Sequence, residues 1–251
     1  MRMRDRAALP LLAASEILGA FATQIAAFAI PLFAVISLNV DSFHIGVLNS
    51  IESAAAVAAG LLVGARVDIY GGRFSILVAH GLRCAALVFL AVACVIEPAF
   101  WMLLVAMFLL GVGAIVNESG VDATLVELGG RDVRYLNKAN SLLRAGSVLS
   151  EIGGPGVAGV LVAGVGFAYA LGGGGVFFAL AFLFALIATS VPRFSRKNVS
   201  SNVKEREGSR RGIFDGITSI MGNPLLRPLV ISTVQSTLSV PASRQFSLFF
   251  A

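Results

Sequence analysis

The sequence predicts an all-α membrane protein: a six-helix transmembrane bundle, a basic loop and the start of a seventh span. Three observations lead there. Of 251 residues, 57% are hydrophobic and 13% charged, against roughly 25% charged in an ordinary soluble domain. Apolar runs close to the ~20 residues needed to cross hydrocarbon recur along the chain. Lys and Arg gather in alternate links between those runs, the asymmetry that orients membrane proteins.

The runs cover about 11–38, 45–67, 74–96, 100–116, 142–165 and 167–191, and a seventh begins near 228. The fourth is expected to continue as helix toward Leu128 with a more polar end. The first follows Arg2, Arg4 and Arg6 as a signal core would, but it is far too long for one and more spans follow. It reads as a retained span. Domain limits follow: a six-span bundle over 1–191, a central loop over 192–224, and the start of a seventh span over 225–251. In the loop, Ile213, Phe214, Ile217, Ile220 and Met221 share one helical face behind Arg210 and Arg211, the pattern of a helix lying in the membrane interface. The sequence stops inside an apolar run, so the expectation is the truncated half of a longer transporter.

Basic residues sit in the N-terminal tail, in the second link (Arg66, Arg73), in the fourth (Arg131, Arg134, Lys138) and after span six (Arg193 to Arg211). The links around Asp41, Glu97 and Gly166 hold none. This predicts a multi-pass protein of the plasma or bacterial inner membrane with a cytoplasmic N-terminus. The net charge of +5 is thus topogenic, and no nucleic-acid partner is expected. Cys84 and Cys94 read as packing residues. His44 and His80 form no ligand cluster, and glycines 172–175 lack the Lys and Ser/Thr of a phosphate loop. No metal, cofactor or catalytic constellation is expected, and the chain is not read as an enzyme.

The link between spans two and three reads Gly64-Ala65-Arg66-Val67-Asp68-Ile69-Tyr70-Gly71-Gly72-Arg73. Gly60 and Gly64 make a small-xxx-small face, Asp68 stands at a helix end, and Gly71 and Gly72 allow a tight reversal. This stretch resembles the G-x-x-x-D-R-x-G-R-R/K signature of the major facilitator superfamily at Gly64, Asp68, Gly71 and Arg73, with Ile69 and Gly72 departing from it. The resemblance implies half of a twelve-span fold, built as two three-helix inverted repeats, with Gly64, Asp68, Gly71 and Arg73 acting in a gating loop. Span five carries Asn140-Ser141-Leu142 and then Gly153-Gly154-Pro155-Gly156-Val157-Ala158-Gly159, similar to the Gly-Pro element of exporter-type members. That implies hinge and packing roles for Gly154, Pro155 and Gly159. Residues 212–227 are similar to the lead-in to span seven in the branch of the enterobactin exporter and macrolide efflux proteins. The fourth-span motif of the family usually begins with Arg; the matching stretch, 107–114, has none.

An ionisable residue inside the membrane is expensive and points to function. Glu151 is the leading candidate for a proton or substrate site, with Ser147 and Pro155 one turn to either side. Glu16, Thr23 and Gln24 form a stripe on span one, Asn49, Glu52 and Ser53 a face on span two, and Asn117 and Glu118 lie near the end of span four. By the resemblance, spans one, two, four and five line the cavity. His80 and Arg83 in span three read as structural residues that snorkel to the cytoplasmic face.

Three functions are weighed. The first is a secondary transporter, a proton-coupled exporter of a small molecule (drug, siderophore or metabolite) working by alternating access. Its partners would be membrane lipids, protons and a C-terminal half or second copy. The second is an inactive half that serves only as a membrane partner. The third is the membrane component of an ATP-driven transporter, which the short links disfavour.

Overall fold

The computed structural model describes residues 3–96, 98–129 and 132–190, with side chains from residue 9 onward except over 61–70. It has six helices among them: α1 (Met3–Leu38), α2 (Ser42–Tyr70), α3 (Gly72–Ile96), α4 (Phe100–Gly129), α5 (Val133–Val165) and α6 (Phe167–Ser190). The central loop, its interfacial helix and the seventh span lie outside the described residues.

Inside hydrocarbon a backbone must satisfy its own hydrogen bonds, and helices do so within the segment. Five helices (α1, α3, α4, α5 and α6) are long and apolar enough to span a bilayer, and α2 matches them in length. Pro10, Pro31 and Pro155 sit inside helices, as membrane helices tolerate. The helix ends run past the apolar runs. α4 reaches Gly129, as expected, and α5 starts at Val133, about nine residues before its run. Asp132 explains that early start: its side chain accepts from the backbone N–H groups of Arg134 and Tyr135 and caps the helix. Residues 133–141, with Arg134, Asn137, Lys138, Asn140 and Ser141 among them, thus lengthen the helix ahead of its apolar run, and Tyr135 and Ala139 pack into the core.

All five links are short, of one to three residues, and three of them hold a residue at positive φ. Gly71, with φ +86°, turns α2 into α3, and Gly166, with φ +90°, turns α5 into α6. Between α1 and α2, Asn39 takes φ +51° and Asp41 caps α2 by accepting from the backbone of His44 at 3.1 Å. The same carboxylate also bonds the His44 ring. These hydrogen bonds, the ring contact first, hold the Asp41 carboxyl below its usual value. A depressed carboxylate supports the fold at neutral pH and ceases to do so only as pH falls through that lowered value, so this cap persists through the physiological range.

Neighbouring helices form a row in the order α2, α4, α3, α6, α1, α5, with α1 and α4 also touching. The inner four helices therefore enclose a core, and α2 and α5 flank it. One apolar cluster fills the half nearer the α1 C-terminus, around Ile30, Phe33, Leu87, Leu90, Leu103 and Phe178. A second, around Leu12, Ile76, Leu125 and Tyr135, fills the other half.

Close approach rests on small residues. A side chain on Gly111 of α4 would strike the backbone of Glu52 on α2, and one on Gly146 of α5 would strike Ile17 of α1. Gly156 has open space around it. Gly146→Leu is therefore expected to cost about 1–3 kcal/mol through overpacking and to lower the thermal midpoint in detergent, while Gly156→Leu leaves it nearly unchanged.

Candidate functional site

Between the two apolar clusters lies a buried polar one. It draws Ser15, Glu16 and Thr23 from α1, His80 and Arg83 from α3, Asn117 from α4, and a backbone carbonyl and a ring from α6. Asn117 Nδ2 donates to Glu16 Oε2 at 2.7 Å. His80 Nε2 lies 3.1 Å from Ser15 Oγ and 3.5 Å from Glu16 Oε1. Arg83 Nη2 donates to Thr23 Oγ1 at 2.8 Å, and its guanidinium stacks 4.7 Å above the Phe178 ring. His80 is fully buried and Arg83 is 7% exposed.

Glycines make the space. Gly19 on α1 faces the His80 ring, and Gly113 on α4 faces the stem of Arg83. A side chain at either place would collide with them. Gly113 belongs to the stretch 107–114 that lacks an arginine of its own; Arg83 crosses from α3 to lie against it.

His80 and Arg83 correct the expectation that they snorkel. Arg83 stands roughly 17 Å into a helix about 37 Å long at 1.5 Å per residue, far from either end. Its side chain turns inward, toward α1, α4 and α6. An unpaired charge at such a depth costs several kcal/mol. Arg83 meets that cost with the Thr23 hydroxyl, the Phe178 face and the field of Glu16 and Glu52. The signal was present in the sequence: an Arg at mid-span with a His three residues before it, on one helical face.

The other expected residues divide. Glu16 lies in the cluster. Glu52 on α2 is half-buried and within electrostatic reach of Arg83. Gln24 leaves the stripe it shares with Glu16 in the sequence and packs on Gly154 of α5. Glu151 is exposed and makes no hydrogen bond or ion pair among the described residues. Its neighbour Ser150 is the one that turns inward, bonding the carbonyls of Gly146 and Ile17. Asn49 and Glu118 are exposed. Pro155 lies mid-helix between the buried Gly154 and the partly buried Gly159, which approaches Phe28.

In the turn region, Gly64 and Asp68 fall within α2, and their side chains lie outside the described ones. Gly72 starts α3 packed so tightly on Gly120 and Thr124 of α4 that no side chain would fit. Arg73 donates to the carbonyl of Thr189 on α6 at 3.4 Å and lies 3.8 Å from Glu127 on α4. It ties three helix ends together.

The model of the Major Facilitator Superfamily matches residues 12–250. The chain belongs to the major facilitator superfamily. Comparison with curated proteins finds no match. Membership makes this a membrane transporter, and the apolar helices agree with a multi-pass protein in contact with lipid. In this superfamily member the cluster holds four of the seven buried polar or charged residues among the described ones: Ser15, His80, Arg83 and Asn117. No group of His, Cys, Asp and Glu there could hold a metal ion.

Thr23 donates to the carbonyl of Gly19 while accepting from Arg83, so Thr23→Val removes the acceptor of a buried charge. The expected cost is about 1.5–3 kcal/mol, as for hydrogen bonds to charged groups, read as a lower midpoint of unfolding in detergent. Thr189→Val, which loses only a bond within its own helix end, serves as the control and is expected to change little.

Proposed function

We propose that the chain is the N-terminal half of a twelve-span secondary transporter that moves a small molecule by alternating access, as a proton-coupled exporter. The observation that carries this reading is the order of neighbours. Exchanging α1 with α4, α2 with α5 and α3 with α6 turns the row α2, α4, α3, α6, α1, α5 into its own reverse. Three-helix units joined by short links run in opposite directions, so this exchange symmetry supports two inverted repeats, the architecture on which rocking transport is built.

Exposure supports the placement of the cavity. Exposed polar and charged side chains stand on α2 (Asn49, Ser53), α4 (Glu118, Asp122) and α5 (Arg144, Glu151), whereas the described residues of α3 and α6 expose no charge. Charge facing lipid is costly. The faces of α2, α4 and α5 therefore suit a water-filled cavity and a C-terminal half or second copy, and those of α3 and α6 suit lipid. On this reading Glu151, Asn49, Glu118 and Gln24 contact substrate, and Glu16 and Glu52 belong to the coupling machinery. Gly64, Asp68, Gly71 and Arg73 form the gating loop, and Gly154, Pro155 and Gly159 make the hinge. The positive φ of Gly71 and the three-helix tie of Arg73 fit a latch at that end. The basic links favour a cytoplasmic N-terminus in a plasma or bacterial inner membrane. The likeness of residues 212–227 favours the siderophore and macrolide exporter branch.

The test uses inside-out vesicles with an imposed proton gradient, and compares this chain with the chain extended to twelve spans. Dyes, macrolides and siderophores form the substrate panel. The extended form is expected to move a substrate, Asp68→Asn to abolish that movement, and Glu151→Gln to weaken the apparent affinity for substrate. Transport by this chain alone would show that two copies make the complete unit. Gradient-independent movement would overturn proton coupling.

A further inference from the structure

Within the buried cluster four side-chain atoms have no hydrogen-bond partner among the described residues: Glu16 Oε1, His80 Nδ1, Arg83 Nε and Asn117 Oδ1. Buried polar atoms are almost always partnered, by protein or by ordered water. Four together in an apolar bundle mark a place that takes a further molecule.

The hydrogen bonds already made fix which way each group points. Asn117 Nδ2 donates to Glu16 Oε2 at 2.7 Å. A carboxylate only accepts, so the amide gives its nitrogen to Glu16 and its oxygen is left over. Ser15 gives its hydroxyl proton to the carbonyl of Ala181 at 2.8 Å and accepts from His80 Nε2. That ring nitrogen stays 3.5 Å from Glu16 Oε1, too long for a good hydrogen bond. Arg83 commits Nη2 to Thr23 and the face of its guanidinium to Phe178, which leaves its Nε–H unused.

Helix α4 brings three of these atoms together. Gly113 and Asn117 stand one turn apart on one face. Gly113 takes the Cγ and Cδ of Arg83, and Nε is the next atom along that stem. Asn117 in turn holds Glu16. Arg83 Nε, Asn117 Oδ1 and Glu16 Oε1 therefore gather over one turn of α4, while His80 Nδ1 lies on the Gly19 side of its ring. The three are one donor and two acceptors. A cation would meet the Nε–H, and an anion would meet two acceptor oxygens. Water is the complement: it accepts one N–H and donates two protons, within the two to four partners usual for a buried water.

We propose that the bundle core binds a structural water between Arg83 Nε, Asn117 Oδ1 and Glu16 Oε1. The water accepts from the guanidinium and donates to the two oxygens, and no group changes its protonation. It joins α1, α3 and α4 at one point and gives the Glu16 and Arg83 charges a hydrogen-bonded path across the α1–α3 contact. The site stands whether or not the transport reading does.

The full chain, labelled with ¹⁵N-arginine and placed in lipid nanodiscs, is examined by NMR. The Arg83 Nε–H is the arginine signal in contact with the Phe178 ring. It is expected to show a cross-peak to water with the sign of a long-lived bound molecule. That cross-peak is expected to be stronger than the one at Nη2–H, which separates a bound water from relay through the Thr23 hydroxyl. No cross-peak at Nε–H, or one no stronger than at Nη2–H, overturns the proposal. Asn117→Leu replaces an acceptor with an apolar side chain and is expected to abolish the cross-peak. An undiminished cross-peak in that variant, once folded, also overturns the proposal; where the variant does not fold, the parent spectrum decides.

Discussion

A guanidinium held near the middle of an apolar bundle constrains everything packed around it. Arg83 cannot reach either end of α3, so the surrounding helices must supply its partners. α1 brings Thr23 and Glu16, α6 brings the face of Phe178, α4 brings the gap at Gly113, and α2 adds the field of Glu52. Each of these elements has to stand at a set rotation and depth for the charge to be tolerated. The buried cation thereby selects one arrangement of helices that are otherwise nearly uniform in hydrophobicity, a registry role attested for buried polar groups elsewhere.

Apolar packing alone would not do this in a bilayer. Lipid tails are as apolar as Leu, so association of helices depends on close fit and on polar contacts. The glycines supply the fit: Gly111 to α2, Gly146 and Gly154 between α5 and α1, Gly72 and Gly120 between α3 and α4. The polar cluster supplies orientation. The two act on different helix pairs, the glycines on α2–α4, α1–α5 and α3–α4 and the polar cluster on α1–α3, α1–α4 and α3–α6, so each holds contacts the other does not.

The helices and their links were legible in the sequence because bilayer thickness sets run length and topology sets the charges. The polar end of α4 was legible for the same reason, while the start of α5 depended on the Asp132 cap. Which side of each helix turns inward was not. A helix that is apolar all round carries almost no periodic signal. One residue is about 100° of helix, enough to put Ser150 in the core and Glu151 outside it, although the sequence alone favours Glu151. Arg83 was read by its nearness to a basic link, whereas its surroundings come from α1 and α6, sixty residues before it and ninety-five after. The Gly113 gap that admits its side chain has no mark in the local sequence beyond being glycine. Glu16 was legible as a buried acid, but its partners, Asn117 and His80, are contacts no local pattern specifies.

The central claim is that Glu16 and Arg83 are energetically joined across the α1–α3 contact. A double-mutant cycle measures that joining directly. Glu16→Gln, Arg83→Gln and the double variant would be unfolded reversibly in mixed micelles with increasing SDS. The account predicts a coupling energy of about 1 kcal/mol or more, with the double variant less damaged than the sum of the singles. Strict additivity, within about 0.5 kcal/mol, would mean that the two charges do not share one site, and would contradict the account.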